Sequence, residues 1–98
     1  MPASASAPQA LVIAGGLWQV PLIRHLQAAG YHVTVADPYT DAAGVQLADA
    51  HIQADARDPD AILANLPTGV SYALVTSDQS DVAVHTVATL AEKLGLPG

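Results

Sequence analysis

Residues 10–20 read Ala-Leu-Val-Ile-Ala-Gly-Gly-Leu-Trp-Gln-Val. Five apolar residues run into two glycines, and apolar positions at helical spacing follow at once. This pattern predicts a buried strand, a tight turn and a helix start within eleven residues. The turn calls for glycine because its backbone takes positive φ or passes close to a neighbour or ligand. The helix start directs free N–H groups and a positive dipole end at whatever lies above the loop. Two readings stand side by side. Either the corner holds an anion or a polar small molecule, or Gly15 and Gly16 only close a tight turn.

The rest of the chain limits what this corner can belong to. Ninety-eight residues make one small domain that buries roughly 65% of its unfolded surface. Half of the side chains are apolar and few are charged, which describes a globular chain. With four aromatics and no Phe, the core must come from Val, Leu, Ile and Ala, as suits helices packed on a parallel sheet. The formal net charge is −6. Arg24, Arg57 and Lys93 are scattered, which excludes a phosphate-neutralising nucleic-acid surface and a polybasic membrane contact. Without Cys there is no thiolate chemistry. The longest apolar run is too short to cross a bilayer, and residues 1–9 lack the positive region of a signal peptide. The expected location is the cytoplasm.

Read in order, residues 1–9 are expected to form a disordered leader and 10–98 the domain. Strands are expected near 11–14, 31–36, 51–54 and 71–76. The first helix should run from Trp18 or Gln19 to Ala29, with Pro21 in its first turn, Arg24 and Gln27 facing water, and Gly30 ending it. A weak helix is read over 41–48, where Gly44 is unfavourable. Asp58-Pro59 suits an N-cap and first helical position. The last helix should start near Ser80 or Asp81 and end at Leu94, with its apolar positions Val84, Val87, Ala91 and Leu94 at helical spacing and Gly95 and Pro97 as stop signals. Strand and helix alternate four times, so the expected fold is α/β: a three-layer Rossmann-like domain with a short four-stranded parallel sheet. In such sheets ligands sit beyond the carboxyl ends of the strands. Those ends carry Gly15-Gly16, Asp37, Asp55 and Thr76-Ser77-Asp78, so these clusters should share one edge.

Each candidate has a plainer reading. Asp37 lies 21 residues after Gly16, where an acid can bond a ribose hydroxyl, or it is a turn residue before proline. The loop lacks the G-x-G-x-x-G spacing of dinucleotide sites. Asp55 and Asp58 are a metal pair or, more simply, loop and capping residues. His25, His32, His51 and His85 share no metal-ligand spacing, and nothing resembles a nucleophile elbow. Trp18 lines a pocket or packs against a neighbouring domain. No catalytic residue and no metal ligand is assigned.

Several segments in the same order resemble a known family. They are Gly15-Gly16-Leu17-Trp18-Gln19-Val20-Pro21, Val35-Ala36-Asp37-Pro38, Ala48-Asp49, Ser77-Asp78-Gln79-Ser80-Asp81-Val82-Ala83-Val84, and the ending from Ala91 to Gly98. Together they resemble the N-terminal, pre-ATP-grasp domain of ATP-grasp enzymes, in particular carbamoyl-phosphate-synthase-like and carboxylate–amine ligase members. His85 departs from that pattern, where proline is expected. The resemblance implies a reaction in which ATP phosphorylates a carboxylate and an amine attacks the acyl phosphate, with Mg2+ clamping the phosphates. It also implies that ATP and Mg2+ bind mainly in a downstream ATP-grasp domain beyond Gly98, so catalysis by these residues alone is not expected. Gly15, Gly16 and the amides of Leu17, Trp18 and Gln19 would face a small-molecule carboxylate or amine, and Ser77, Asp78 and Gln79 would help to position it. Two other readings remain. One is a free-standing nucleotide- or NAD-binding regulatory module that uses Gly16 and Asp37. The other is an assembly domain that self-associates as a homodimer through an apolar surface.

Overall fold

A computed structural model describes residues 7–77 and 81–96. The elements are β1 (Gln9–Ile13), a 3-10 turn (Leu17–Gln19), α1 (Val20–Ala28), β2 (His32–Ala36), α2 (Ala43–Leu47), β3 (Ala50–Ile52), α3 (Pro59–Ala64), β4 (Leu74–Thr76) and α4 (Asp81–Leu94). The four strands form one parallel sheet in the order β3-β2-β1-β4. The chain steps outward from β1 to β3, then returns past β1 to place β4 on the other side. Right-handed crossovers in opposite directions put their helices on opposite faces. Accordingly α1 and α2 cover one face and α3 and α4 the other, which is the three-layer α/β arrangement expected.

The two faces follow the two-residue period of the strands. Ala10 and Val12 of β1 join Val33 and Val35 of β2 against Ile23 and Leu26 of α1. Leu11 and Ile13 point the other way, into a cluster with Ile62 of α3 and Leu90 of α4. From Ala10 to Ile13, β1 is fully buried on both faces, as a central parallel strand requires.

Local chemistry sets several element ends. α1 closes at Gly30 in the left-handed region (φ 97), with Tyr31 N–H donating to the Leu26 carbonyl. Asp58 caps α3 by accepting the Ala61 N–H at 3.1 Å, and Pro59 follows at the first helical position. Asp49 starts the β2–β3 pairing: its carboxylate accepts the Val33 N–H at 2.8 Å, and its own N–H donates to the Val33 carbonyl.

Four expectations are corrected. Gln9 is not part of a leader but the first residue of β1, since its carbonyl accepts the Ala73 N–H while that of Pro8 accepts the His32 N–H. β4 is shorter than 71–76, and Tyr72 before it is buried in the α3–α4 cluster. Gln27 does not simply face water. Its amide donates to the Leu47 carbonyl at 2.8 Å and ties α1 to the end of α2. In α4 the buried stripe is Ala83, Thr86, Leu90 and Ala91, while Val84 is 66% exposed. The run from Ala83 to Ala91 is small or apolar on nearly every side, so spacing alone did not set the rotation of this helix.

That rotation predicts the outcome of two truncations. Leu90→Ala should lower stability by about 2–5 kcal/mol, whereas Val84→Ala should change it by no more than about 0.5 kcal/mol. Urea denaturation midpoints of the two variants check this.

Candidate functional site

The carboxyl ends of parallel strands meet at one edge, and β1 is where the sheet changes direction, with β2 on one side and β4 on the other. The turn after β1 is held from both sides. From β2, the buried Asp37 carboxylate accepts the Gly15 N–H at 2.9 Å through one oxygen and the Tyr39 N–H at 2.8 Å through the other. From β4, the Ser77 hydroxyl donates to the Ile13 carbonyl at 2.5 Å. From β3, the His51 ring nitrogen Nε2 lies 2.8 Å from the Asp37 carbonyl. A carbonyl only accepts, so this contact selects the tautomer with hydrogen on Nε2. The Ile52 carbonyl accepts the Asp37 N–H at 3.0 Å. Three strand ends are thus bound to the β1 turn or to the residue that holds it.

The turn itself is crowded. A Cβ on Gly15 would collide with the Val35 side chain and press on Val45 of α2. The Gly15 carbonyl accepts the Gly44 N–H at 2.7 Å, and a Cβ on Gly44 would lie 2.6 Å from that carbonyl oxygen. Gly44 weakens the α2 helix as a local sequence, yet it is what lets α2 close on the turn. Of the two reasons expected for glycine, positive φ or close approach, Gly15 shows the close approach, and the positive φ falls on Ala14 (φ 74). Gly16 is extended (φ −73, ψ −174), and its N–H donates to the Gln19 side-chain oxygen at 2.9 Å. Gln19 is itself buried. This bond folds the chain into the 3-10 turn that leads to α1, in which the Gln19 N–H donates to the Gly16 carbonyl and the Val20 N–H to the Leu17 carbonyl.

Of the residues singled out from the sequence, Gly15, Gly16, Gln19, Asp37 and Ser77 therefore converge. Leu17 and Trp18 lie between them in the chain but project outward, 70% and 71% exposed. Asp78 and Gln79 lie outside the described residues. Asp55 follows β3 on the same edge, but its carboxylate is taken by Arg57, with Oδ2 2.9 Å from Nη2 and Oδ1 2.8 Å from the Arg57 N–H. Asp55 and Asp58 are thus an ion-pair residue and a cap. Among the described residues no group of three His, Asp or Glu converges on a metal-sized site. Gly44 and His51 were not singled out. Gly44 is unfavourable in a helix and His51 shares no metal-ligand spacing, and neither has a sequence pattern that reveals a contact with the β1 or β2 turn.

Solved structures share this architecture. A phosphoribosylglycinamide synthetase from Anaerococcus prevotii matches 93% of this chain at 20% identity with a TM-score of 0.80. An N5-carboxyaminoimidazole ribonucleotide synthetase from Thermotoga maritima matches 88% at 24% identity (TM-score 0.67). An N5-carboxyaminoimidazole synthetase from Staphylococcus aureus, solved with ADP, matches 94% at 25% identity (TM-score 0.69). The fold is the Rossmann-like one of ATP-grasp synthetases. The chain spans 23%, 23% and 24% of the lengths of these three proteins. No protein-family model and no curated protein matches it. No helix among its described residues is long and apolar enough to cross a membrane.

The site yields two predictions. Ala14→Gly removes a left-handed alanine and should stabilise the fold by up to about 1 kcal/mol. Gly44→Ala should instead destabilise it by about 1–3 kcal/mol, because the new methyl meets backbone; thermal or urea unfolding of both variants checks the opposite signs. The side-chain hydrogen bond from Arg57 holds the Asp55 carboxyl at about 2, against 3.8 for an unperturbed group. A folded-state value below the unfolded one favours the fold above pH 3.8, and the benefit fades as pH falls toward 2. NMR titration of the Asp55 carboxyl should give a midpoint near 2 that moves back toward 3.8 in Arg57→Ala.

Proposed function

We propose that this domain forms the substrate-side wall of an ATP-dependent ligase of the ATP-grasp type. Such an enzyme activates a carboxylate as an acyl phosphate and transfers it to an amine. The observation that carries the reading is the β1 turn. It lies where the sheet order changes direction, in a fold shared with ATP-grasp synthetases, and it is held rigid by Asp37 and Ser77. In this reading Gly16 keeps a side chain off the turn, and Gly15 lets the turn pack against Val35 and Val45. The amides of Leu17 and Trp18 face a polar group of the acceptor, while that of Gln19, expected to join them, is taken by the Gly16 carbonyl at 3.1 Å; Ser77, Asp78 and Gln79 position the acceptor. Because the turn is already fixed, little ordering entropy remains to be lost when a ligand binds.

The nucleotide and its Mg2+ belong to another part of the parent protein, a downstream ATP-grasp domain. The residues described here do not fit that group. Arg57 is paired with Asp55, Arg24 is exposed on α1, Lys93 is in the last turn of α4, and the oxygens of Asp37 hold backbone N–H groups. By itself the domain is then inactive. A regulatory NAD module finds less support for the same reason, because a ribose hydroxyl would have to displace the Gly15 or Tyr39 N–H from Asp37.

The coding sequence tests the reading. Codons downstream of Gly98 should encode an ATP-grasp fold, and the full-length product should release phosphate from ATP only when both a carboxylate and an amine are supplied. Calorimetric titration of the 98-residue chain with NAD, AMP and ATP should give no binding heat. A stop codon after Gly98, or tight NAD binding, would reverse the assignment in favour of the sensing module.

A further inference from the structure

Among the described residues, the large apolar side chains most exposed to water are Trp18 (71%), Leu17 (70%), Tyr39 (68%) and Val84 (66%). The first three lie in the turns that follow β1 and β2, and Val84 is in the first turn of the helix that follows β4. All three elements open at the carboxyl edge of the sheet. A small domain has no folding reason to project a Trp, a Leu and a Tyr from adjacent turns, and such clusters mark contact surfaces. The acids are also unevenly placed. Asp41, Asp58 and Asp60 are exposed at this same edge, and Asp55 beside them already holds Arg57, the edge's described cation. The opposite edge carries Asp49 before β3, whose carboxylate holds the Val33 N–H, and Lys93 and Glu92 at the end of α4.

We infer that this rim docks a protein segment that presents Lys or Arg side chains around an apolar centre. Charge complementarity selects the occupant. An acidic margin repels nucleic acid and anionic lipid and favours a cationic polypeptide. The apolar centre agrees, because exposed Trp and Tyr faces attract ammonium and guanidinium groups and are among the side chains that dominate interfaces. The inference concerns projecting side chains rather than the glycine turn between them, so it holds whether or not the domain belongs to a ligase.

The test uses two synthetic amphipathic helical peptides with the same Leu positions, one with Lys and one with Glu at the remaining sites, each fluorescein-labelled and titrated with the 98-residue chain. The Lys peptide should bind saturably, shift the emission of Trp18, the only Trp, to shorter wavelength, and weaken as salt rises. The Glu peptide should not bind. Trp18→Ala should weaken binding of the Lys peptide about tenfold. Asp41→Lys should weaken it about threefold, whereas Glu92→Lys, an equal change in net charge at the far edge, should leave it unchanged. All of these positions are exposed, and thermal unfolding confirms that each variant is folded. The inference is overturned if neither peptide binds, if both bind alike, or if Asp41→Lys and Glu92→Lys have equal effects, since attraction to net charge alone would produce the last result.

Discussion

The carboxylate of Asp37 holds the functional edge of this domain together. It is buried, and each of its oxygens accepts a backbone N–H from a different turn, Gly15 after β1 and Tyr39 after β2. Hydrogen bonds to an ionised acceptor are shorter and about twice as strong as neutral ones. Without this acid the Gly15 N–H would sit in the packed corner unpaired, which costs about 1–3 kcal/mol. The backbone of Asp37 is anchored in turn by the Ile52 carbonyl and the His51 ring. One residue thereby couples β1, β2 and β3 at the edge where the fold collects its polar groups.

This arrangement explains why the turn needs glycine. Torsion is not the reason, since the left-handed residue is Ala14 and Gly16 is extended. The reason is space. Val35 and Val45 close over Gly15, and Gly44 brings the α2 backbone onto the Gly15 carbonyl. A left-handed alanine beside so tight a contact is local strain of the kind that concentrates at functional sites, and it persists because the neighbouring bonds leave no alternative. The outward projection of Leu17 and Trp18 follows from the same geometry. Gln19 turns inward to satisfy Gly16, and the two residues between them are left on the outside.

Signals that act within a few residues were legible in the chain. The strands near 11–14 and 31–36, found at 9–13 and 32–36, the cap and proline at Asp58-Pro59, and the glycine stop at Gly30 each follow from side-chain size, branching or hydrogen-bonding ability over a short window. The convergence of Gly15, Gly16, Asp37 and Ser77 followed from one further step, that parallel strands end on a common edge. Where the pattern was degenerate, the reading slipped. In α4, Ala and Val occupy positions on both sides of the helix, so the buried stripe begins at Ala83 rather than Val84. Gln27 looked like a solvent residue because its partner, the Leu47 carbonyl, lies 20 residues away.

Alternation of β-branched runs with helical spacing was enough, by itself, to determine a parallel α/β sheet, its four strands and the edge that carries the polar turns, because each depends on periodicity and on the handedness of crossovers. Only the tertiary structure decided what those polar groups do. Asp37 has its oxygens taken by backbone, Gly44 is needed for contact rather than tolerated as a flaw, and Trp18 projects outward from the turn. The physical reason is that these roles depend on distances between segments some 20 or more residues apart, and local propensity does not encode such distances.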